Sequence, residues 1–331
     1  MCGTNCESTD SNDNTDNSGS NNNNDSTDTN DNTDTTDNTN DNTDTTTSSI
    51  TKPVRMTIID HLAALSPFTA LAGALAVPTF SSHDYNYVAI ESWTYGQGAG
   101  HISHIWANSY PYFVGSSFGS TTSEVQAHLR KLYNDNGVKV LITAFGNEVP
   151  ATLGYGAVDC ANKLAEFVEA NHFDGVNVDW NDEHSFYFGT GEDWMIAFMN
   201  QLRSKLPDHI VVHTIKARFF QEGNPHYPQQ AYIKIHQNVG NLIDFYNVEY
   251  HDSARTYADL FTSMNTQSVS YIASKGVPLN KIVVGKTPNL IFQSGFVSSS
   301  ELGSMLVDAY NNLGWYAGIS YYHYFYDQNG G

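Results

Sequence analysis

The feature that most constrains the fold of this chain is a regular alternation of short apolar runs with helical patterns from residue 85 onward. Runs rich in valine, isoleucine and aromatic residues are typical of buried parallel strands. Because they alternate with helical patterns, we predict a parallel βα array. The eight candidate strands are residues 85–93, 102–110, 138–145, 173–181, 210–217, 245–251, 282–286 and 318–325.

Between these runs, apolar residues recur at the spacing of a helix face, as Leu164, Phe167 and Val168 do. Such faces predict amphipathic helices that pack on the outside of a sheet. Eight strands with intervening helices, in roughly 250 residues, fit a single (β/α)8 barrel of the α/β class. We therefore assign residues 81–331 to one barrel. Functional side chains of this fold collect at the carboxyl ends of the strands.

Residues 1–50 have a composition that cannot support a folded core. They consist almost wholly of Asn, Asp, Thr and Ser and contain no Lys or Arg. Too little apolar surface is available for burial, so we predict a disordered low-complexity tail. The formal net charge of the chain is −20, which argues against a nucleic-acid partner.

Residues 51–80 form a hydrophobic segment between the tail and the predicted barrel. Lys52 and Arg55 precede an alanine-rich run that ends in Ala74-Leu75-Ala76. The pattern resembles a secretory signal peptide that starts at Met56 and has a small-residue cleavage site, and the alternative is a hydrophobic linker or packing helix. The first interpretation predicts a secreted protein. The run is too short and too interrupted to span a membrane, so no stable membrane insertion is expected.

The run 173–181 carries a row of polar side chains. Alternate residues of an extended strand share one face. Asn177, Asp179 and Asn181 therefore lie on one face, and the apolar residues between them lie on the other. A polar row inside a barrel, at the end of a strand, predicts a functional site.

Residues 174–181, Asp-Gly-Val-Asn-Val-Asp-Trp-Asn, resemble the D-G-x-D-x-D-x-E signature of the family 18 glycoside hydrolases. This family comprises chitinases and endo-β-N-acetylglucosaminidases. Asp174 and Asp179 match the signature. Asn177 takes the place of its second Asp, and Asn181 takes the place of the proton-donating Glu.

The resemblance implies a mechanism in which the substrate's own N-acetyl oxygen attacks the anomeric carbon while the Glu protonates the leaving oxygen. An amide donates hydrogen bonds but cannot deliver a proton. Asn181 is therefore excluded as a general acid, and no catalytic residue is assigned. Glu183 and Glu249 are the candidate substitute acids, whereas Asp182 is expected to point to the opposite face.

The resemblance extends to two later strands. In the sixth strand of the family, Glu249 takes the position of a Gln, and without a gap His251 takes that of the Tyr that helps to hold the N-acetyl group. With a gap of one residue, Tyr250 takes that position. Face alternation favours the ungapped alignment. In the eighth strand, Tyr322 stands where the family has the Trp that forms the floor of the sugar site.

The resemblance thus predicts a ligand-binding cleft, and its candidate residues are Asn177, Asp179, Asn181, Glu249, His251 and Tyr322. These residues supply hydrogen-bonding groups and a stacking surface in a concave site. Lys216 and Arg218 are interpreted either as residues of the cleft rim or as ordinary loop residues. His213 is interpreted as a structural core residue.

Three hypotheses for the function remain open. The identity of Asn181 favours a chitinase-like protein that binds glycans containing N-acetylglucosamine without hydrolysing them. The second hypothesis is a divergent glycosidase that uses Glu183 or Glu249 as its acid, and the third is a protein-interaction barrel. The cysteines and histidines show no metal-ligand spacing, so we expect no metal and no cofactor. A monomer is expected.

Overall fold

The computed structural model describes residues 52–59, 85–99, 131, 133–265, 267–287 and 294–322. The predicted tail 1–50 and the predicted strand 102–110 lie outside the described residues. The alanine-rich run of the hydrophobic segment lies outside them as well.

Eight parallel strands form a closed ring around the axis of the molecule. The strands of the sheet are β1 (Val54–Ile59), β2 (Tyr87–Thr94), β3 (Gly98–Ala99), β4 (Lys139–Phe145), β5 (Gly175–Asp179), β6 (Ile210–Lys216), β7 (Phe245–Glu249), β8 (Ile282–Lys286) and β9 (Gly318–Tyr322). The ring follows the order β1-β9-β8-β7-β6-β5-β4-β2 and closes where β1 pairs with β2. The short strand β3 pairs with β2 in antiparallel fashion outside the ring. The predicted (β/α)8 barrel is confirmed.

Helices alternate with the ring strands from β4 onward. They are α1 (Ala157–Asn171), α2 (Glu183–Tyr187), α3 (Gly191–Lys205), α4 (Tyr232–Val239), α5 (Val269–Ser274) and α6 (Ser299–Leu313). Single turns of other helix types lie at Ala217–Phe220, Gly240–Leu242, Ala258–Thr262 and Leu279–Lys281. Helix α1 buries Leu164 and Val168, which belong to its predicted apolar face. No described helix is both long and apolar enough to cross a membrane.

Strand β1 corrects the predicted start of the barrel at residue 81. It pairs in parallel with both β2 and β9, so the barrel begins within the segment 51–80. A short strand that is mostly apolar and contains Arg55 resembles the start of a signal peptide in composition, and the two are therefore easily confused. A signal peptide that began at Met56 would include residues 56–59 of this strand, which conflicts with its removal by cleavage.

A layer of polar side chains crosses the barrel interior. Nδ2 of Asn177 donates to Oγ1 of Thr143 at 3.2 Å, and Oδ1 of Asn177 accepts from Oγ1 of Thr214 at 2.7 Å. Nδ2 of Asn247 donates to the same threonine oxygen at 3.1 Å. All four residues are at most 1% exposed. Because buried polar groups need hydrogen-bond partners, this chain of bonds fixes which side chains of β4 to β7 point inward.

Candidate functional site

Three ionisable side chains end neighbouring strands at the carboxyl end of the barrel. Asp179 ends β5, Lys216 ends β6 and Glu249 ends β7. Each lies two residues beyond a member of the polar layer and so points to the same inward side. Lys216 is paired in register with Glu249. The structure thus brings two predicted site residues, Asp179 and Glu249, to one end of the barrel, with a lysine between their strands.

The environment of the two carboxyl groups favours their neutral forms. Asp179 is 8% exposed, and the side chain of Glu249 is 17% exposed. Burial and then repulsion by Glu249 raise the pKa of Asp179 well above its ordinary value, although Lys216 opposes the shift. Burial raises the pKa of Glu249 to about 7. Near neutral pH the pair therefore retains a proton, as expected of like charges in a desolvated site.

Asn181 lies just after β5, and two hydrogen bonds donated by its amide nitrogen fix its side chain. Nδ2 donates to the carbonyl of Gly146 and to Oδ1 of Asp179, each at 3.1 Å. No residue that the structure describes donates to Oδ1 of Asn181, and the side chain lines a pocket. Asn181 therefore offers a hydrogen-bond acceptor to a ligand and has no acidic proton to transfer.

A pocket of about 440 Å³ opens between the loops that follow β4, β5 and β6. It is lined by Val149, Thr152, Asn181, Asp182, Glu183, His184, Lys216 and Arg218. Its volume lies within the range of small-ligand sites, which is roughly 300–1,000 Å³. Of the predicted site residues, Asn181 and Glu183 line this pocket. Lys216 and Arg218 line it as well.

Asn177 is placed differently from the prediction. It is fully buried in the polar layer, and both groups of its amide are bonded to threonines within the barrel. A ligand at the carboxyl end of the strands would not reach it. The structure thus gives no support to the predicted ligand-binding role of Asn177, because face alternation gives the direction of a side chain but not its depth along the barrel. Asp174 also lies away from the site: its carboxylate accepts from Nζ of Lys139 and from the backbone N–H of Val140, at the amino end of β4.

Glu183 is bound by two cations. Nζ of Lys216 donates to its Oε1 at 2.9 Å, and Nη2 of Arg218 donates to the same oxygen. Burial alone would raise the pKa of Glu183, but the hydrogen bonds and charges of the two cations outweigh burial and lower it. A general acid that works near neutral pH needs a raised pKa. This geometry argues against Glu183 as a substitute acid.

Asp182 anchors the loop that carries the pocket. It is fully buried, and its carboxylate accepts from the backbone N–H of Thr152 at 2.8 Å and from the hydroxyl of the same residue. It also accepts from the backbone N–H of Ser185 at 3.1 Å, which caps the start of α2. Asp182 thus connects the loop after β4 to the loop after β5.

Replacement of Asp182 with Asn is expected to lower the free energy of unfolding by about 1–2 kcal/mol, because the amide offers one acceptor oxygen where the carboxylate offers two. Urea denaturation measures the loss. The matched control is Asp193→Asn, since Asp193 is 69% exposed and pairs with Lys234 at the surface, where an ion pair contributes little. A loss for Asp182→Asn no larger than that of the control would contradict the anchoring role.

His251 and Tyr322 form a stacked pair on the neighbouring part of the barrel end. Their ring centroids are 5.3 Å apart, with the planes at 24°, and Nδ1 of His251 lies 4.0 Å from Oε1 of Glu249. Tyr250 is buried, and its hydroxyl donates to the carbonyl of Gln267 at 2.7 Å. His251, and not Tyr250, therefore shares the side of Glu249, in agreement with the ungapped alignment.

Lys286 is a residue that the sequence analysis missed. It ends β8, is 1% exposed, and its Nζ donates to the carbonyls of Tyr250, Ser253 and Ala254 at 3.0–3.1 Å. Burial lowers its pKa to about 8. These bonds hold the loop that carries His251. A lysine at the end of a wholly apolar strand was the available signal, because a buried charge requires partners.

His213 is a core residue, as predicted. It is fully buried, with Nδ1 at 2.9 Å from the Tyr232 hydroxyl and Nε2 at 3.1 Å from the Met199 sulfur. Burial lowers its pKa to about 3, so the ring is neutral at physiological pH. Within the described part of the chain, no group of three or more His, Cys, Asp or Glu side chains is arranged to hold a metal ion.

No family model and no curated protein matches this sequence. Solved structures of similar architecture do exist. The GH18 chitinase from Pseudoalteromonas aurantia has a TM-score of 0.61 and 19% identity, over 84% of this chain and 96% of that chain. A fungal endo-β-N-acetylglucosaminidase from glycosyl hydrolase family 18 has a TM-score of 0.59 and 17% identity, over 82% of this chain and 90% of that chain.

The putative chitinase A from Streptomyces coelicolor has a TM-score of 0.57 and 17% identity, over 78% of this chain and 88% of that chain. The ring of strands and the groups at their carboxyl ends define a (β/α)8 barrel with a pocket lined mostly by polar and charged side chains. Within that class, this chain has the fold of the family 18 glycoside hydrolases.

Proposed function

We propose that this protein binds glycans containing N-acetylglucosamine at the carboxyl end of its barrel and does not hydrolyse them. The observation that carries the proposal is Asn181. It stands at the position of the acid in the family signature, and its amide is fixed by Gly146 and Asp179. The family mechanism requires an acid at this position to protonate the leaving oxygen of the glycosidic bond, and an amide cannot do so.

The side chains at the carboxyl end of the barrel are suited to bind a sugar. The side chain of Asn181 lines the pocket, and its Oδ1 can accept a hydrogen bond from a sugar hydroxyl or amide N–H. Lys216 and Arg218 also line the pocket and carry further hydrogen-bond donors. The rings of His251 and Tyr322 stack on each other. Such rings offer an apolar surface on which a sugar ring can pack. Ligand sites combine apolar faces with a few placed polar groups in this way.

A second function, hydrolysis with Glu249 as the acid, is supported by one specific observation. The pKa of Glu249 is raised to about 7, which matches the requirement for a general acid near neutral pH. Asp179 would then be the partner carboxyl group, and the two acids would share their proton. For this function, the carboxyl of Glu249 must come within hydrogen-bond reach of the glycosidic oxygen.

The test uses the full chain, titrated with chitooligosaccharides and with a high-mannose glycoprotein in a calorimeter, while chromatography monitors the same mixtures for cleavage products. We expect binding without products. Turnover by the wild type that is lost in Glu249→Gln and kept in Glu183→Gln would replace this proposal with the second function. If no glycan binds, both functions fail and the protein-interaction barrel is favoured.

A further inference from the structure

The ammonium group of Lys286 has one carbonyl partner for each of its hydrogens. A protonated lysine carries three N–H donors and no acceptor. Nζ of Lys286 donates to the carbonyls of Tyr250, Ser253 and Ala254 at 3.0–3.1 Å, and the residue is 1% exposed. A buried charge is stable only when such partners surround it. The three carbonyls therefore form a binding place for one positive charge, which we call the carbonyl cradle.

The rest of the loop that contains the carbonyl cradle is held by residues that follow β8. Residues 250–254 contain no helix or strand. The carbonyl of His251 accepts from the backbone N–H of Gly295 at 2.7 Å, and that of Asp252 accepts from Oγ of Ser294 at 2.9 Å. A Cβ on Gly295 would lie 2.2 Å from the carbonyl oxygen of His251, so this close approach requires glycine. All five carbonyls of the loop are thus bonded to the end of β8 or to residues that follow it.

The position of the His251 side chain depends on this loop. Its Nδ1 lies 4.0 Å from Oε1 of Glu249, and its ring contacts that of Tyr322. One carbonyl of the cradle precedes His251 in the chain and two follow it. Without the ammonium, three carbonyls that face the protein interior would lose this donor, and the loss of a hydrogen-bond partner away from water is costly. The loop would then have to move to reach water, and His251 would move with it.

We propose that Lys286 is a positioning residue of the ligand site: by holding the carbonyl cradle, its ammonium keeps His251 where it can contact the glycan. This inference rests on the proposed function and adds to it a residue that acts through the backbone of a loop instead of by contact with the ligand. The charge is the essential part of the side chain, because the methylene groups of a lysine fill space but donate no hydrogen bond. An ammonium group supplied in another way would therefore serve as well.

The first test is the variant Lys286→Met of the full chain, because methionine fills the apolar part of the space and donates no hydrogen bond. We expect the dissociation constant for the trisaccharide of N-acetylglucosamine to rise by about tenfold or more, and the NMR signals of the His251 imidazole to shift. The variant His251→Gln identifies those signals. An affinity within about twofold of the wild type, or unshifted signals, would overturn the proposal.

The matched control is Lys281→Met. Lys281 directly precedes β8, at the amino end of that strand. Its Nζ likewise donates to backbone carbonyls, those of Gly240 at 3.0 Å and Ile243 at 2.6 Å. We expect both variants to unfold at a lower temperature than the wild type, and only Lys286→Met to lose affinity and to shift the His251 signals. Equal losses of affinity in the two variants would mean that Lys286 only stabilises the fold, and would overturn its positioning role.

Chemical rescue keeps the test decisive if loss of the lysine disturbs folding. Lys286→Ala lacks the end of the lysine side chain, which has the size and charge of propylammonium. We expect added propylammonium, but not 1-propanol, to restore the His251 signals and the affinity for the trisaccharide. Equal recovery with the two compounds, or recovery with neither, would contradict the requirement for the charge. If the wild type binds no sugar, the proposed function fails and with it the role of Lys286 in binding, whereas the His251 signals and their rescue still decide whether Lys286 positions the loop.

Discussion

The variant Asn181→Glu is expected to cleave chitooligosaccharides, which under the proposed function the wild type is expected to bind without cleaving. The amide of Asn181 faces two acceptors, the carbonyl of Gly146 and Oδ1 of Asp179. A carboxyl group at this position would be stabilised in its protonated form, because only that form can donate to them. A general acid so placed typically accelerates a reaction by roughly 10²- to 10⁴-fold.

Chromatography of the products released from chitohexaose measures the gain in hydrolytic activity. The matched control is Asn181→Gln, which has the length of glutamate but transfers no proton, and it is expected to stay inactive. If Asn181→Glu and Asn181→Gln are both inactive, the absence of the acid does not by itself explain the lack of hydrolysis. The double variant Asn177→Asp/Asn181→Glu then tests whether the buried layer must be restored as well.

The variant Glu249→Gln is expected to be more stable than the wild type above neutral pH, by about 2–3 kcal/mol at pH 8. Burial raises the pKa of Glu249 from its ordinary 4.5 to about 7. The folded protein therefore binds a proton more tightly than the unfolded chain does. The cost of the ionised group is absent below pH 4.5, grows through the interval up to pH 7, and is fully present above it.

Urea denaturation of both proteins at pH 5 and pH 8 measures this effect. At pH 5 the gain is expected to be less than about 1 kcal/mol. Glu222→Gln is the control, because the side chain of Glu222 is 63% exposed and pairs with Lys275 at the surface, where little depends on its charge. A gain for Glu249→Gln of the same size at both pH values would show that its carboxyl group is not held neutral by burial.

Apolar runs were sufficient to predict most of the barrel because its strands are buried on both faces. The run 282–286 coincides with β8, and the other predicted strands among the described residues differ from the observed ones only at their ends. Strand β1 was missed since its single short apolar run is followed by a second apolar segment instead of a helix signal. Local composition does not reveal that β1 pairs with β9, which lies at the other end of the chain.

The sequence predicted the direction in which the side chains of the site point, but not their hydrogen-bond and ion-pair partners. Alternation placed Asp179 and Glu249 on the inward side, and the structure agrees. It could not show that Lys216 reaches Glu183, because Lys216 ends β6 whereas Glu183 begins α2, after β5. For the same reason Asp182, expected only to face away from Asn181, proved to be a buried anchor whose partner Thr152 belongs to another loop.

The position of β1 in the ring limits how this protein can be processed. Cleavage between Ile59 and Tyr85, with loss of the upstream piece, would leave the facing edges of β2 and β9 without their partner strand. Open edges of this kind invite pairing with other chains. A cut there would therefore leave a barrel that is prone to pair with other chains, so a form of the protein that keeps the closed barrel must retain Val54–Ile59.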